Sequence, residues 1–321
     1  MIIKTPLRLS LVGGGSDLRY FYEKNNGMSL GFPIKNYNYI FFSKINNQLL
    51  QIVSDKENIE TSNPDLIKDN IIRSIFIKYK IDKKKVFIFS DLPYGTGLGS
   101  SSAMTVGFIN AINSIQNLKM KRQEIAETAY KIEEEYSGST IGKQDHFMST
   151  FGGINLFKYK KNSKTTIESI NISKKKIQNL EDSILLIRVG GIRNAVEILH
   201  DQKSNLISNQ SKQENMKKII QFVPYVKEAI IKSDMKELGR LISLTWELKK
   251  SLSKLISNTL VDQLYDFLIS QGIYGGKLLG AGSSGYFLAI CDPKTKQKLI
   301  KKFNDDALSI NVDTDGTHIK I

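Results

Sequence analysis

The stretch DLPYGTGLGSSSAM, residues 91–104, sets glycines at the alternate positions Gly95, Gly97 and Gly99 ahead of three serines, Ser100, Ser101 and Ser102. Glycines so spaced let the backbone take positive φ and approach a ligand closely. Their N–H groups, with those of a following helix's first turn, converge on one point and build an anion site from backbone dipoles. The commoner loops do not fit this spacing. A lysine-bearing phosphate loop reads GxxxxGK[ST], and no lysine lies between Lys85 and Lys119. The dinucleotide fingerprint reads GxGxxG, whereas these glycines run GxGxG. A hydrolase elbow reads GxSxG, which neither Ser100–Ser102 nor Ser283–Ser284 supplies. A glycine turn with serine helix caps is the alternative for this stretch taken alone.

The elements around the loop must hold it in place. KVFIFS (85–90) is a short apolar strand leading into it, and 102–115 is apolar nearly all round, which predicts a buried helix. Alternation over PLRLSLV (6–12) predicts a strand, followed by a GGGSD turn at 13–17. NYNYIFFSKI (36–45) and LLQIVS (49–54) read as a hairpin turning at Asn46–Asn47, and 64–80 carries a helical pattern. In 122–138, Ile125, Ala129, Ile132 and Tyr136 mark the apolar face of a helix that Gly138 would close. Strands are expected at 152–159 and 183–191, with several helices over 194–272. A glycine-rich turn then enters a strand within 274–292, and a helix at 294–304 precedes strands at 307–313 and 316–321. No repeat or Pro/Ser-rich linker divides the chain. The second half reads as a split sheet with helices on one face, and a soft boundary near residue 175 gives units 1–175 and 176–321.

PLRLSLVGGGSDL, LPYGTGLGSSSA and KLLGAGSSGYFLAI, in that order, resemble the three motifs of the small-molecule kinases that include galactokinase, homoserine kinase, mevalonate kinase and phosphomevalonate kinase, the GHMP superfamily. The triple-glycine GGGSD, GKQDHFMSTFGGINLFKY (142–159) and GGIRNAVEIL (190–199) resemble more narrowly the D-glycero-D-manno-heptose 7-phosphate kinases. Those usually read GGGTD and GKQDQ, where this chain has Ser16 and His146. The resemblance implies an α+β fold of two domains, the first ribosomal-protein-like and the second ferredoxin-like. It also implies ATP and Mg²⁺ as cofactors, and transfer of phosphate to the anomeric hydroxyl of heptose 7-phosphate. The product would be a 1,7-bisphosphate used in making activated heptose for surface polysaccharide.

Phosphoryl transfer needs positioning, charge neutralisation and a placed metal rather than covalent work. The resemblance makes Pro93, Gly95, Thr96, Gly97, Leu98, Gly99, Ser100, Ser101 and Ser102 the nucleotide loop, with Mg²⁺ on Ser101. One carboxylate should complete that metal site. Of three adjacent glutamates, helical geometry turns Glu133 toward the apolar face, above Ala129 and Ala126, and Glu134 and Glu135 toward the polar face. Glu133 is therefore the expected second ligand. Asp145 falls where the superfamily has its catalytic base, and Arg8 matches the cation of its first motif, which would hold Asp145 charged and offset charge on the transferring group. Gly14, Gly15, Ser16 and Asp17 are expected at the sugar hydroxyls. Lys143 and Arg193 are candidates for the substrate's own phosphate, since a dianion calls for charge-assisted donors. Gly280, Gly282, Ser283 and Ser284 resemble the GAGGGG turn that closes over the acceptor, with two serines in place of glycines.

Composition bounds the alternatives. The 321 residues carry a formal charge of +14, but only seven of the 46 basic residues are arginine. The lysines are dispersed, and the densest basic segment, 158–176, has no aromatic beyond Tyr159, which argues against nucleic-acid recognition. A basic RNA-binding module would also leave Glu133 and Asp145 without a role. A non-catalytic ATP-binding regulator would not need Arg8, Ser101, Glu133 and Asp145 together. No apolar run is long enough to span a bilayer, no secretory signal opens the chain, and the single Cys291 excludes an internal disulfide framework. The expected setting is the cytoplasm, with a small-molecule sugar phosphate as partner and neither nucleic acid nor membrane. His146, His200, His318 and Cys291 have no metal-ligand spacing. Trp246 and Cys291 read as packing residues. The sequence leaves open the sugar epimer, the adenine contacts and the oligomeric state.

Overall fold

Strand β1 (Ile2–Val12) pairs along most of its length with the 18-residue β2 (Gly27–Lys44). Both faces of β1 are buried, so its alternation sorts two environments. Leu7, Leu9 and Leu11 enter the main core, while Arg8 and Ser10 line a cleft. The computed structural model describes residues 1–44, 49–55, 57–138, 140–162, 164–190 and 195–320.

After β1 come α1 (Arg19–Asn25), β2, β3 (Leu50–Val53), β4 (Asn58–Thr61), α2 (Asn70–Lys78), β5 (Lys84–Ser90), α3 (Ser100–Ile115), α4 (Arg122–Tyr136), α5 (Gln144–Thr150), β6 (Asn155–Tyr159) and β7 (Thr165–Ser169). The length of β2 lets it serve two neighbours on one edge, β6 through Gly27–Gly31 and β5 through Asn38–Lys44. The expected hairpin at 36–54 does not form: β5 lies between β2 and β3, and β3 runs parallel to β5. Val86 and Ile88 of β5 take the buried central place, while four-residue β3 alternates buried and half-buried positions and pairs onward with β4. The Asn46–Asn47 turn lies outside the described residues. The helix expected over 64–80 is split into a 3-10 turn at Pro64–Leu66 and α2. Asp69 interrupts it by accepting the Ile71 and Ile72 N–H groups as a helix cap.

The second half contributes α6 (Lys174–Ser183), β8 (Ile184–Val189), α7 (Ala195–Ser208), α8 (Gln210–Gln221), α9 (Val223–Lys232), α10 (Met235–Lys250), α11 (Thr259–Ser270), β9 (Gly275–Leu278), β10 (Gly285–Ile290), α12 (Pro293–Phe303), β11 (Ala307–Ser309) and β12 (His318–Lys320). Its antiparallel sheet runs β11-β8-β10-β9, so the strands of this half stand in the order fourth, first, third, second. That is the ferredoxin-like arrangement. β12 leaves this half and pairs with β1, Ile319 opposite Ile3, so the chain's last strand belongs to the first sheet. The largest apolar cluster joins Leu7, Leu9 and Phe32 to Leu186, Trp246 and Phe287, which welds the halves together without a linker. Trp246 and Cys291 are fully buried, as packing residues should be, and burial pushes the Cys291 thiol up to about 12. No described helix is long and apolar enough to cross a membrane.

Candidate active site

The loop between β5 and α3 takes left-handed backbone at each of its three glycines (φ 79° at Gly95, 85° at Gly97, 73° at Gly99). Gly99 caps α3 and offers no side-chain acceptor, which leaves the N–H groups of the helix's first turn to a ligand. Three bonds pin the loop from behind. The Arg8 N–H donates to Leu98 O (2.9 Å), Arg8 Nη1 to Gly97 O (2.6 Å) and the Tyr286 N–H to Thr96 O (3.0 Å). Gly95, Gly97, Gly99, Ser100, Ser101 and Ser102 line the resulting cleft of about 1350 Å³. Pro93, Thr96 and Leu98 do not. The Thr96 hydroxyl donates to Pro93 O, and the Leu98 side chain sits in the core. A Cβ on Gly99 would stand 2.9 Å from Arg8 Cγ. Gly99→Ala is therefore expected to destabilise the fold by ~1–2 kcal/mol from the left-handed backbone alone and to displace Arg8. Chemical denaturation checks the first effect and kcat the second.

Arg8 and Asp145 form a two-point ion pair, Nε to Oδ1 at 2.7 Å and Nη2 to Oδ2 at 2.6 Å. Arg8 is 3% exposed, and with Gly97 O included all three guanidinium nitrogens are engaged. Glu133 is buried on α4, as the helical-face reading expects, and its Oε1 accepts from Ser101 Oγ at 2.7 Å. Glu134 instead accepts from the Tyr130 hydroxyl, and Glu135 is exposed. His146 Nε2 stands 2.5 Å from the other Glu133 oxygen, and the ring is fully buried. Sequence reasoning gave His146 no role. Its only signal was its place beside Asp145 on what proves to be a helical turn, which carries it to α4 while Asp145 faces the cleft.

A second cleft, of about 840 Å³, opens beyond the ion pair and is walled by Gly14, Gly15, Asp17, Gln144, Gln202, Thr245, Lys249, Lys277, Gly280 and Ala281. Arg8, Gly142, Asp145 and Leu199 line both clefts, so the two meet at the Arg8–Asp145 pair. Asp17 accepts the Gly15 and Gln144 N–H groups at 2.8 and 3.0 Å, and burial, with the Asp145 charge, raises its pKa.

Three sugar-side expectations are corrected. The Ser16 hydroxyl is fully buried and taken up by backbone, donating toward Gly13 O and Met28 O and accepting the Met28 N–H, so it fastens the glycine turn rather than facing a ligand. Lys143 does not line the cleft. Its ammonium lies 4.8 Å from the Tyr22 ring and 5.3 Å from the Tyr130 ring, where burial lowers its pKa. Gly282 and Ser283 turn toward the 256–258 segment, with the Ser283 N–H on Ile256 O and Asn258 Nδ2 on Ser283 O. Gly280 and Ala281 are the third-motif residues that reach the cleft. Arg193 lies outside the described residues. The cations that sequence reasoning missed are Lys249 and Lys277. A lysine inside the buried strand GGKL was the available signal for the second.

The chain matches the family model "GHMP kinases N terminal domain" over residues 66–153 and "GHMP kinases C terminal" over 226–308. It is 31% identical over 312 residues to the D-glycero-alpha-D-manno-heptose 7-phosphate kinase of Campylobacter jejuni, covering 93% of this chain and 91% of that protein. To the galactokinase of Pyrococcus furiosus it is 25% identical, over 93% and 90% of the two chains. The crystal structure of a D-glycero-D-manno-heptose 1-phosphate kinase from Bacteriodes thetaiotaomicron superposes with a TM-score of 0.82 at 25% identity, over 100% and 99% of the chains.

Proposed function

As the chain belongs to the GHMP kinases, we propose that it is the ATP- and Mg²⁺-dependent kinase that converts D-glycero-D-manno-heptose 7-phosphate to its 1,7-bisphosphate, a step toward activated heptose for surface polysaccharide. The observation that carries this reading is the junction of the two clefts at Arg8 and Asp145. One cleft has a helix N-terminus and glycine loop suited to nucleotide phosphates, and the other has polar walls suited to a sugar.

In this reading Asp145 orients the acceptor hydroxyl and takes its proton through lone pairs that Arg8 leaves open, while Arg8 fixes the carboxylate and offsets charge on the group in transit. The loop N–H groups and the first turn of α3 hold the nucleotide phosphates. The Ser101 hydroxyl and a Glu133 oxygen, 2.7 Å apart on the cleft wall, are the hard oxygen pair that suits Mg²⁺ alongside phosphate oxygens and water. Bound there, the ion would neutralise phosphate charge. His146 keeps Glu133 turned toward Ser101. The less polar cavity between Ile72, Ile88, Tyr94 and Met104 shares Asp69 with the loop cleft and would take the adenine.

A coupled ADP-release assay over sugars and sugar phosphates tests the reading. Heptose 7-phosphate should exceed neutral heptose in kcat/KM by roughly 10- to 100-fold or more, the lower bound being the value of one charge-assisted contact. Phosphorus NMR of the product should place the new phosphate on C1. Equal use of a neutral sugar, or turnover of heptose 1-phosphate instead, would replace this acceptor with another within the same sugar-kinase class.

A further inference from the structure

Two side-chain donors at the acceptor-side cleft have no acceptor among the described residues. Lys277 of β9 is 6% exposed and lines the cleft, and among the described residues nothing accepts from its ammonium group. Burial, then the nearby charges of Lys249 and Arg8, lower its pKa well below the ordinary lysine value. Gln202 of α7 is 2% exposed, and its amide nitrogen has no partner among the described residues. That nitrogen stands against the glycine turn, 2.7 Å from where a Gly15 Cβ would be. Lys249 of α10 is held at the same wall by donating to Gly280 O at 2.6 Å.

The cleft's acidic groups cannot answer Lys277, because Asp145 is held by Arg8 and Asp17 accepts two backbone N–H groups. A buried ammonium without a counter-charge is costly to keep. None of Lys277, Lys249 or Gln202 lines the loop cleft, so the missing anion lies on the acceptor side of the Arg8–Asp145 pair. A phosphate monoester carries about −1.5 to −2 charges and three acceptor oxygens, which matches two ammonium groups and a carboxamide. We propose that Lys277, with Lys249 and Gln202, binds the phosphate already present on the acceptor. The proposal rests on the sugar-phosphate reading above and places its anion subsite in the second half of the chain, away from Lys143.

The test compares wild type with Lys277→Met and Lys277→Arg, using heptose 7-phosphate and neutral heptose as acceptors. Lys277→Met should narrow the preference for the phosphorylated sugar at least tenfold, Lys277→Arg should keep most of it, and the KM for ATP should stay within about twofold in both. Equal losses on both acceptors, or a raised KM for ATP with the preference intact, overturn the proposal. Inorganic phosphate supplies a separate arm without sugar or nucleotide. It should raise the Tm of wild type more than that of Lys277→Met, and equal shifts overturn the subsite. Should wild type use neutral sugar equally well, the sugar-phosphate reading fails and the phosphate arm alone decides the subsite. Without ligand, Lys277→Met should melt at or above wild type, because a buried polar head group without a partner among the described residues has been removed. A strongly lowered Tm would show that Lys277 has a partner in the fold and would overturn the proposal.

Discussion

Asp145→Asn is expected to lower kcat by about 10²- to 10⁴-fold, the usual scale for losing an acid–base group, with the KM for ATP changed by no more than about twofold. The substitution preserves shape and removes charge. Arg8 Nε and Nη2 each donate to one Asp145 oxygen, so an amide would set its NH₂ against one of these donors and release the guanidinium from its two-point hold. The acceptor hydroxyl then loses both its proton acceptor and the group that orients it. Nucleotide binding should survive, because two of the loop's three attachments do not pass through the Arg8 side chain that Asp145 holds. Leu98 O is held by the Arg8 backbone N–H, and Thr96 O by that of Tyr286. Steady-state kinetics with both substrates varied, alongside nucleotide binding by calorimetry, separates these terms. Turnover within about threefold of wild type would remove Asp145 from the mechanism.

Local sequence carried the parts of this site that rest on local geometry. Strand alternation placed Arg8 opposite Leu7 and Leu9, glycine spacing marked a left-handed loop, and a helical wheel separated Glu133 from its neighbours. Contacts between distant segments were not legible. Lys143 stands two residues before Asp145 and carries the charge a phosphate calls for, yet α1 and α4 bring Tyr22 and Tyr130 around its ammonium. Lys277 sits in a four-residue strand buried throughout, where period-two reasoning does not tell core from cleft. The β3–β5 pairing and the return of β12 to β1 depend on the outer edges that β5 and β1 leave open once both flank β2, and no window around those short strands encodes that. Ser16 was misread for a related reason. A serine beside three glycines suits a ligand or a turn equally well, and only the position of Met28 decides for the turn.

Glu133→Gln should raise the Mg²⁺ concentration needed for half-maximal rate by about 10²-fold or more. Mutating even an outer partner of a metal ligand typically costs about 10- to 100-fold, and in the proposed site a direct oxygen ligand is lost. Glu134→Gln and Glu135→Gln should titrate like wild type. The three residues are consecutive, so composition and local charge are nearly constant across the series and only direction differs. Glu133 is 4% exposed and faces Ser101 and His146, Glu134 faces Tyr130 and Arg19, and Glu135 faces solvent. A glutamine at 133 keeps the shape but removes the anionic charge, and its NH₂ must take one of the two places that carboxylate oxygens hold against the Ser101 hydroxyl and the His146 ring. Titrating Mn²⁺ by water-proton relaxation with bound ATP reads the site without turnover and should give the same ranking. A loss confined to Glu134→Gln or Glu135→Gln would mean that the metal carboxylate lies on the polar face of α4. Three equal titrations would mean that the ion takes its oxygens from Ser101 and the nucleotide alone.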